Sequence, residues 1–216
     1  MAKVFISHSS KDTDIVKQIT YHLKLVQVEP LVAEFESVER PPYRTIDRML
    51  QESDALFFFL TPNVADSAHT RSWVDYEVSA AHALKKPVYV FEQLNRQVVF
   101  PIPFLTHYFL YDPSRKEDWD KLFEIAKLAS PSVELGAFVA GGILGAPFGP
   151  LGSLIGGAVA TSMARHQRES AIFSQDITCP YAGCGISFKF YSQLYEGFQF
   201  PCPTCRKNIV WRLRDS

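Results

Sequence analysis

Four short runs dense in β-branched and aromatic residues, KVFIS (3–7), EPLVAEF (29–35), ALFFFLT (55–61) and PVYVFE (87–92), alternate with stretches of helical spacing at 11–27, 43–53, 70–85 and 115–129. Short apolar runs of this kind belong to strands buried on both faces. Strands that alternate with helices build a parallel sheet covered on both sides. HYFLY (107–111) supplies a fifth strand. Ile15, Ile19, Leu23 and Val26 share one face of the first helix, which sets that face against the sheet. In such α/β folds ligands sit beyond the carboxyl ends of the strands, near the point where the strand order reverses. Functional residues are therefore expected in Ser7–Lys11, Phe35–Tyr43 and Thr61–Ser72, and at the start of the helix after the third strand, with Thr70 or Ser72 as its cap.

Glycine and cysteine divide the chain. All eleven glycines lie from Gly136 onward and all four cysteines from Cys179 onward. Three parts follow: an α/β domain over 1–130, a Gly-rich apolar hairpin over 135–164 and a cysteine-bearing module over 176–213. An apolar content of 47% and a charged content of 21% place the chain among ordinary globular proteins. A net charge of −1 offers no electrostatic footprint for nucleic acid and argues against that partner. The apolar run in MAKVFISHSS is too short for a signal peptide, so a cytoplasmic location is expected.

One acidic residue is out of keeping with its surroundings. In TRSWVDYEVSAA (70–81), Glu77 lies one helical turn after Trp73, so the two side chains share a face. Val74, Val78 and Ala81 form the neighbouring stripe, the one suited to packing on a sheet. Glu77 thus stands at the border of an apolar surface, where a carboxylate is costly without a partner or a purpose. It is either a surface residue paired with Arg71, Lys85 or Lys86, or a functional acid.

Four segments carry a resemblance. VFISHSSKD (4–12), SDALFFFLTPN (53–63), SWVDYEVSAA (72–81) and KKPVYVF (85–91) resemble, in order and in placement, a TIR domain of the prokaryotic kind over about residues 3–129. The resemblance implies a flavodoxin-like parallel sheet. It also implies one of two functions: cleavage of NAD+ to nicotinamide and ADP-ribose or a cyclised variant, or a non-catalytic scaffold acting through homotypic association. In the enzymatic group a Glu in the helix after the third strand is catalytic and a Trp one turn earlier lines the pocket; Glu77 and Trp73 match those positions. FESVERPPYR (35–44) matches the family's mobile loop, with Phe35 at its start as a candidate substrate contact, and departs from it in having two prolines and no glycine. Ser7, Ser9 and Ser10 are further candidate contacts, since hydroxyls and backbone N–H groups at a strand end can face phosphates; the same residue types are ordinary helix caps. His8 has no Asp or Ser at a spacing that would make a catalytic triad. The resemblance further implies homo-oligomers and a role in prokaryotic immune or stress signalling.

Outside that resemblance stand two segments. Residues 135–164 carry no charge, and Gly141, Gly145 and Gly149 are four apart, as are Gly152 and Gly156. Small residues at this spacing let helices pack closely. APFGP interrupts the run, leaving two arms, each shorter than the ~20 residues of a spanning helix. The expectation is a glycine-zipper-like hairpin that either dips into a membrane or packs against copies of itself. In the tail, Cys179 and Cys184 form one pair and Cys202 and Cys205 a second, across a strand-rich insert. Two close pairs read as a four-thiolate zinc ribbon holding one structural Zn2+, the alternative being disulfides, which a cytosolic setting disfavours; Phe188, Phe190, Tyr191 and Trp211 are expected to pack its hairpin rather than bind nucleic acid. A module this small relies on the metal for its folding energy, and no residue of the first domain is expected to depend on it.

Overall fold

The protein is described here by a computed structural model covering residues 1–33, 43–128, 174–192 and 197–211. Residues 34–42, which include Phe35, and the Gly-rich segment 135–164 lie outside the described residues. Strands β1 (Ala2–Ser7), β2 (Val28–Val32), β3 (Ala55–Leu60), β4 (Val88–Gln93) and β5 (His107–Tyr111) are all parallel, in the order β2-β1-β3-β4-β5. That is the flavodoxin-like order, with its reversal between β1 and β3. Helices α1 (Thr13–Leu25), α2 (Tyr43–Glu52), α4 (Ala68–Ala83) and α5 (Lys116–Leu128) fall within about two residues of the expected stretches, and a short α3 (Pro62–Ala65) precedes α4.

Alternation along each strand sorts the core into two layers. Phe5, Leu56, Phe58, Leu60, Val88 and Val90 pack with Ile46 and Leu50 of α2 and with Val74, Val78 and Ala81 of α4. Val4, Ile6, Phe57, Phe59, Tyr89 and Phe91 pack with Ile19 and Leu23 of α1 and with Leu122 and Ile125 of α5. Every residue of β3 is fully buried; each of its Phe side chains contributes about 2–3 kcal/mol by leaving water.

The glycine-free domain closes its helices with other residues. Lys85 takes the left-handed conformation (φ 58°) after α4, where its N–H donates to the His82 carbonyl and that of Lys86 to the Ala81 carbonyl. This is the pairing of a Schellman turn, in which glycine is the usual occupant. At the other end Ser67, rather than Thr70 or Ser72, caps α4: its hydroxyl accepts from the Thr70 N–H at 3.2 Å, so the helix starts earlier than expected. The short α3 leaves only Asp66 and Ser67 as connection, and the serine nearest the turn takes the role.

The cysteine tail is fused to this sheet. Strands β6 (Ser174–Thr178) and β7 (Ser187–Tyr191) form an antiparallel hairpin, and β7 pairs in parallel with β5, with His107 opposite Lys189 and Phe109 opposite Tyr191. The sheet therefore runs β2-β1-β3-β4-β5-β7-β6. Strands β8 (Gln199–Pro201) and β9 (Asn208–Val210) form a separate two-stranded sheet. Phe188, Phe190, Phe198, Phe200 and Ile209 join the core layer that contains α4. The expectation that nothing in the first domain depends on the tail is thereby corrected: without β7, β5 would present an open edge of unpaired backbone groups. Among the described residues no helix is long and apolar enough to cross a membrane.

Candidate functional site

Ser7 ends β1 and its side chain points to the layer that holds α4. There its hydroxyl donates to Oε2 of Glu77 at 2.5 Å. Glu77 is only 5% exposed and Ser7 is fully buried. Burial pushes the Glu77 carboxyl up to about 7, and the Ser7 hydrogen bond opposes that shift in part. None of the lysines or arginines near it in sequence serves as counter-ion; Lys86 instead reaches the carbonyls of Gln51 and Ser53. Glu77 is thus a buried carboxylate with one neutral hydrogen-bond donor. Ionising it costs the fold free energy, which makes it a candidate functional acid.

Aromatic residues flank it. Trp73, 8% exposed, lies one turn before Glu77 and donates its indole N–H to His69 Nε2 at 3.2 Å. Tyr43, the first residue of α2, packs its ring 4.6 Å from that of Trp73 and 4.9 Å from that of Tyr76 while staying half exposed. The Tyr76 hydroxyl donates to Asp47; that bond and burial hold its phenol up at about 12. Three aromatic rings from α2 and α4 thus form one cluster, with Trp73 one turn before Glu77 on α4. Tyr43 ends the stretch Phe35–Tyr43 in which functional residues are expected, but nothing in its local sequence singles it out there.

The loop after β1 is fixed by the residue that precedes α1. Asp12 precedes α1, yet its carboxylate accepts from Thr61 Oγ1 at 2.6 Å and from Asn63 Nδ2 at 2.5 Å. This latch ties the loop after β1 to the loop after β3 across the reversal in strand order. Within the loop, Ser9 is buried and its hydroxyl accepts from the Lys11 N–H at 3.4 Å, whereas Ser10 is exposed. His8 Nδ1 lies 2.8 Å from the Ser9 carbonyl, which can only accept, so Nδ1 carries the proton. Burial lowers its pKa, and Nε2 is a buried lone pair with no partner among the described residues. Phe35 lies outside the described residues.

The family model for the TIR domain matches residues 4–123, more than half of the chain. The chain belongs to the TIR domain family. No curated protein matches it. The matched stretch contains Ser7, Asp12, Trp73, Glu77, Glu92 and Tyr108, and leaves out the four cysteines.

Beside the TIR domain those cysteines come together. Cys179 and Cys184 sit in the turn between β6 and β7, Cys202 and Cys205 in the turn between β8 and β9, and all four Sγ atoms lie within 4.8 Å of one another. All are free thiols. Sγ of Cys179 is 3.7 Å from that of Cys205, and Sγ of Cys184 is 3.8 Å from that of Cys202. Four sulfurs at ~2.3 Å from a tetrahedral metal would be about 3.8 Å apart, so this donor set fits one closed four-thiolate site. Gly183 (φ 83°) and Gly185 (φ 56°) flank Cys184 and let the wider first turn fold back to present both sulfurs. In the second turn the left-handed position falls on Arg206 (φ 59°), whose N–H donates to the Cys202 carbonyl at 2.8 Å.

Arg206 reaches into the TIR domain. Its guanidinium forks onto Glu92 at the end of β4, at 2.7 Å to Oε1 and 3.2 Å to Oε2. Glu92 is fully buried and also accepts from the Val98 N–H at 2.7 Å and from the Tyr108 hydroxyl. Burial and the adjacent carboxylate hold the Tyr108 phenol well above its usual range, so it stays a donor. Glu92 looked like a strand terminus in the sequence, and no local signal pairs it with a residue 114 positions away.

Proposed function

We propose that the protein cleaves NAD+, releasing nicotinamide and forming ADP-ribose or a cyclic variant, with Glu77 as the catalytic carboxylate. The observation that carries this reading is a carboxylate buried at the carboxyl end of β1, one helical turn from the Trp73 ring, with a pKa raised to about 7 and, among the described residues, only Ser7 as hydrogen-bond partner. Nicotinamide departs as a neutral molecule from a cationic pyridinium, so its leaving needs no general acid, unlike the two-carboxylate arrangement of glycosidases. What the chemistry asks for is a negative charge close to the ribose as positive charge develops on it, and a surface that orients the rings. Glu77 supplies the first; Trp73 and Tyr43 supply the second. The cationic substrate itself favours the ionised form of Glu77, because an adjacent positive charge lowers a carboxyl pKa. Ser7 then acts as a positioning residue: its hydroxyl holds Oε2 and leaves Oε1 for the ribose.

In the same reading the four cysteines hold one structural Zn2+, a closed site with no open position for chemistry. Copies of the chain associate through the TIR domain and the Gly-rich segment, the latter either packed against itself or set into a membrane. The test is nicotinamide release by purified protein, compared with Glu77→Gln. A folded wild-type chain that releases none leaves the scaffold function in its place.

A further inference from the structure

The turn that carries Cys202 and Cys205 touches the TIR domain at two points. The Pro203 carbonyl accepts from the Ile102 N–H at 3.0 Å and the Thr204 hydroxyl donates to the Ile102 carbonyl at 2.8 Å. One residue after Cys205, Arg206 forks onto Glu92. Between Glu92 and β5 runs segment 94–106, pinned at Val98 by Glu92 and at Ile102 by the turn. That segment backs the helix bearing Glu77: Phe104 stacks on His82 of α4 at 4.1 Å, and Phe100 and Ile102 lie in the core layer with Val74 and Val78.

Arg206 is also in a conformation that suits glycine. A non-glycine residue at φ 59° carries backbone strain that glycine would not. Its backbone is set by the turn around the two cysteines and its side chain by a fully buried carboxylate. Losing the guanidinium would leave that carboxylate buried without a counter-ion, a strongly destabilising state. Besides these contacts, the thiolate site is what holds the two cysteines of this turn to those of the first, in a module too small to fold on its own apolar core.

We propose that the four-thiolate site is a metal-responsive clamp on the TIR domain, in which metal binding fixes the 202–206 turn and Arg206 carries the effect to Glu92 and segment 94–106. The proposal rests on the metal reading given above and is independent of NAD+ cleavage. It makes the integrity of β4, a strand with no pairing to the module, depend on metal held by residues far along the chain.

Amide hydrogen exchange of Val88–Gln93 in the full chain, with Zn2+ bound and after removal by a chelator under reducing conditions, tests it. In wild type, removal raises exchange there by at least ~100-fold, as expected when a buried carboxylate loses its cation. Arg206→Gly keeps the left-handed turn and still binds Zn2+, but exchange in Val88–Gln93 is raised with or without metal. Adding Glu92→Gln removes the buried charge, keeps the chain folded and leaves that exchange unresponsive to Zn2+. A wild-type chain that binds no Zn2+ overturns both the metal reading and the clamp. Bound Zn2+ whose removal leaves Val88–Gln93 unchanged overturns the clamp alone. So does Arg206→Gly with Zn2+-dependent protection equal to that of wild type.

Discussion

The Ser7 hydroxyl at the end of β1 and the Glu77 carboxylate on α4 meet at 2.5 Å in the buried layer between sheet and helix. This contact joins the first strand to the helix after the third strand, across the point where the strand order reverses. It has consequences for stability as well as for chemistry.

Glu77 has a folded-state pKa of about 7 against an ordinary 4.5, so the fold favours its protonated form. The stability this contributes is complete below pH 4.5 and is lost as pH rises through 7. Glu77→Gln, neutral at every pH, should therefore be more stable than wild type at pH 8, by up to ~3 kcal/mol at ~1.4 kcal/mol per pKa unit. The gain should fall away as pH drops below 4.5. Thermal unfolding of both proteins across pH 4–8 measures it.

Ser7→Ala removes the one hydrogen bond that favours the charged carboxylate. The Glu77 pKa should rise further, and the acid limb of kcat/KM for NAD+ should move to higher pH by about one unit, with about a fivefold loss at pH 7. A pH–rate profile measures this, and a purely structural serine would lower activity without moving the limb.

Asp12→Ala cuts the latch to Thr61 and Asn63 and leaves those two donors without their acceptor. The expected cost is about 1–3 kcal/mol in urea unfolding. The loop after β1 loses its anchor, so KM for NAD+ should rise more than kcat falls. Asp12→Asn keeps one acceptor oxygen and should lie between the two proteins.

Metal analysis should find one Zn2+ per chain in wild type and none after Cys202 and Cys205 are changed together to Ser. Because β7 completes the sheet at β5, the loss should lower the melting temperature of the whole chain in a single transition. A tail that melted separately, with an unshifted transition for the TIR domain, would contradict the fused sheet.

Much of this architecture is legible in the sequence because parallel strands buried on both faces, such as ALFFFL, advertise themselves locally, and because α4 presents Val74, Val78 and Ala81 at helical spacing. Glu77 stands out for the same reason: a lone acid beside an apolar stripe breaks a local pattern. The four cysteines are legible by spacing alone. Asp12, Glu92 and Arg206 are not, because each is an ordinary residue until topology supplies its partner. Asp12 reads as a helix cap, Glu92 as the polar end of a strand and Arg206 as one charge after a cysteine. The pairing of β7 with β5 is hidden in the same way, since nothing near either strand says which edge it will meet. Ser67 displaced the expected caps because the length of α3 could not be read from four residues.

The central claim is tested most directly by incubating the purified, Zn2+-loaded full chain with NAD+ and measuring nicotinamide. The account predicts release with an acid limb near pH 7, and a loss of at least ~100-fold in folded Glu77→Gln, the scale expected when a charge that stabilises a transition state is removed. Undiminished release by Glu77→Gln, or none from the folded wild type between pH 6 and 9, would contradict it.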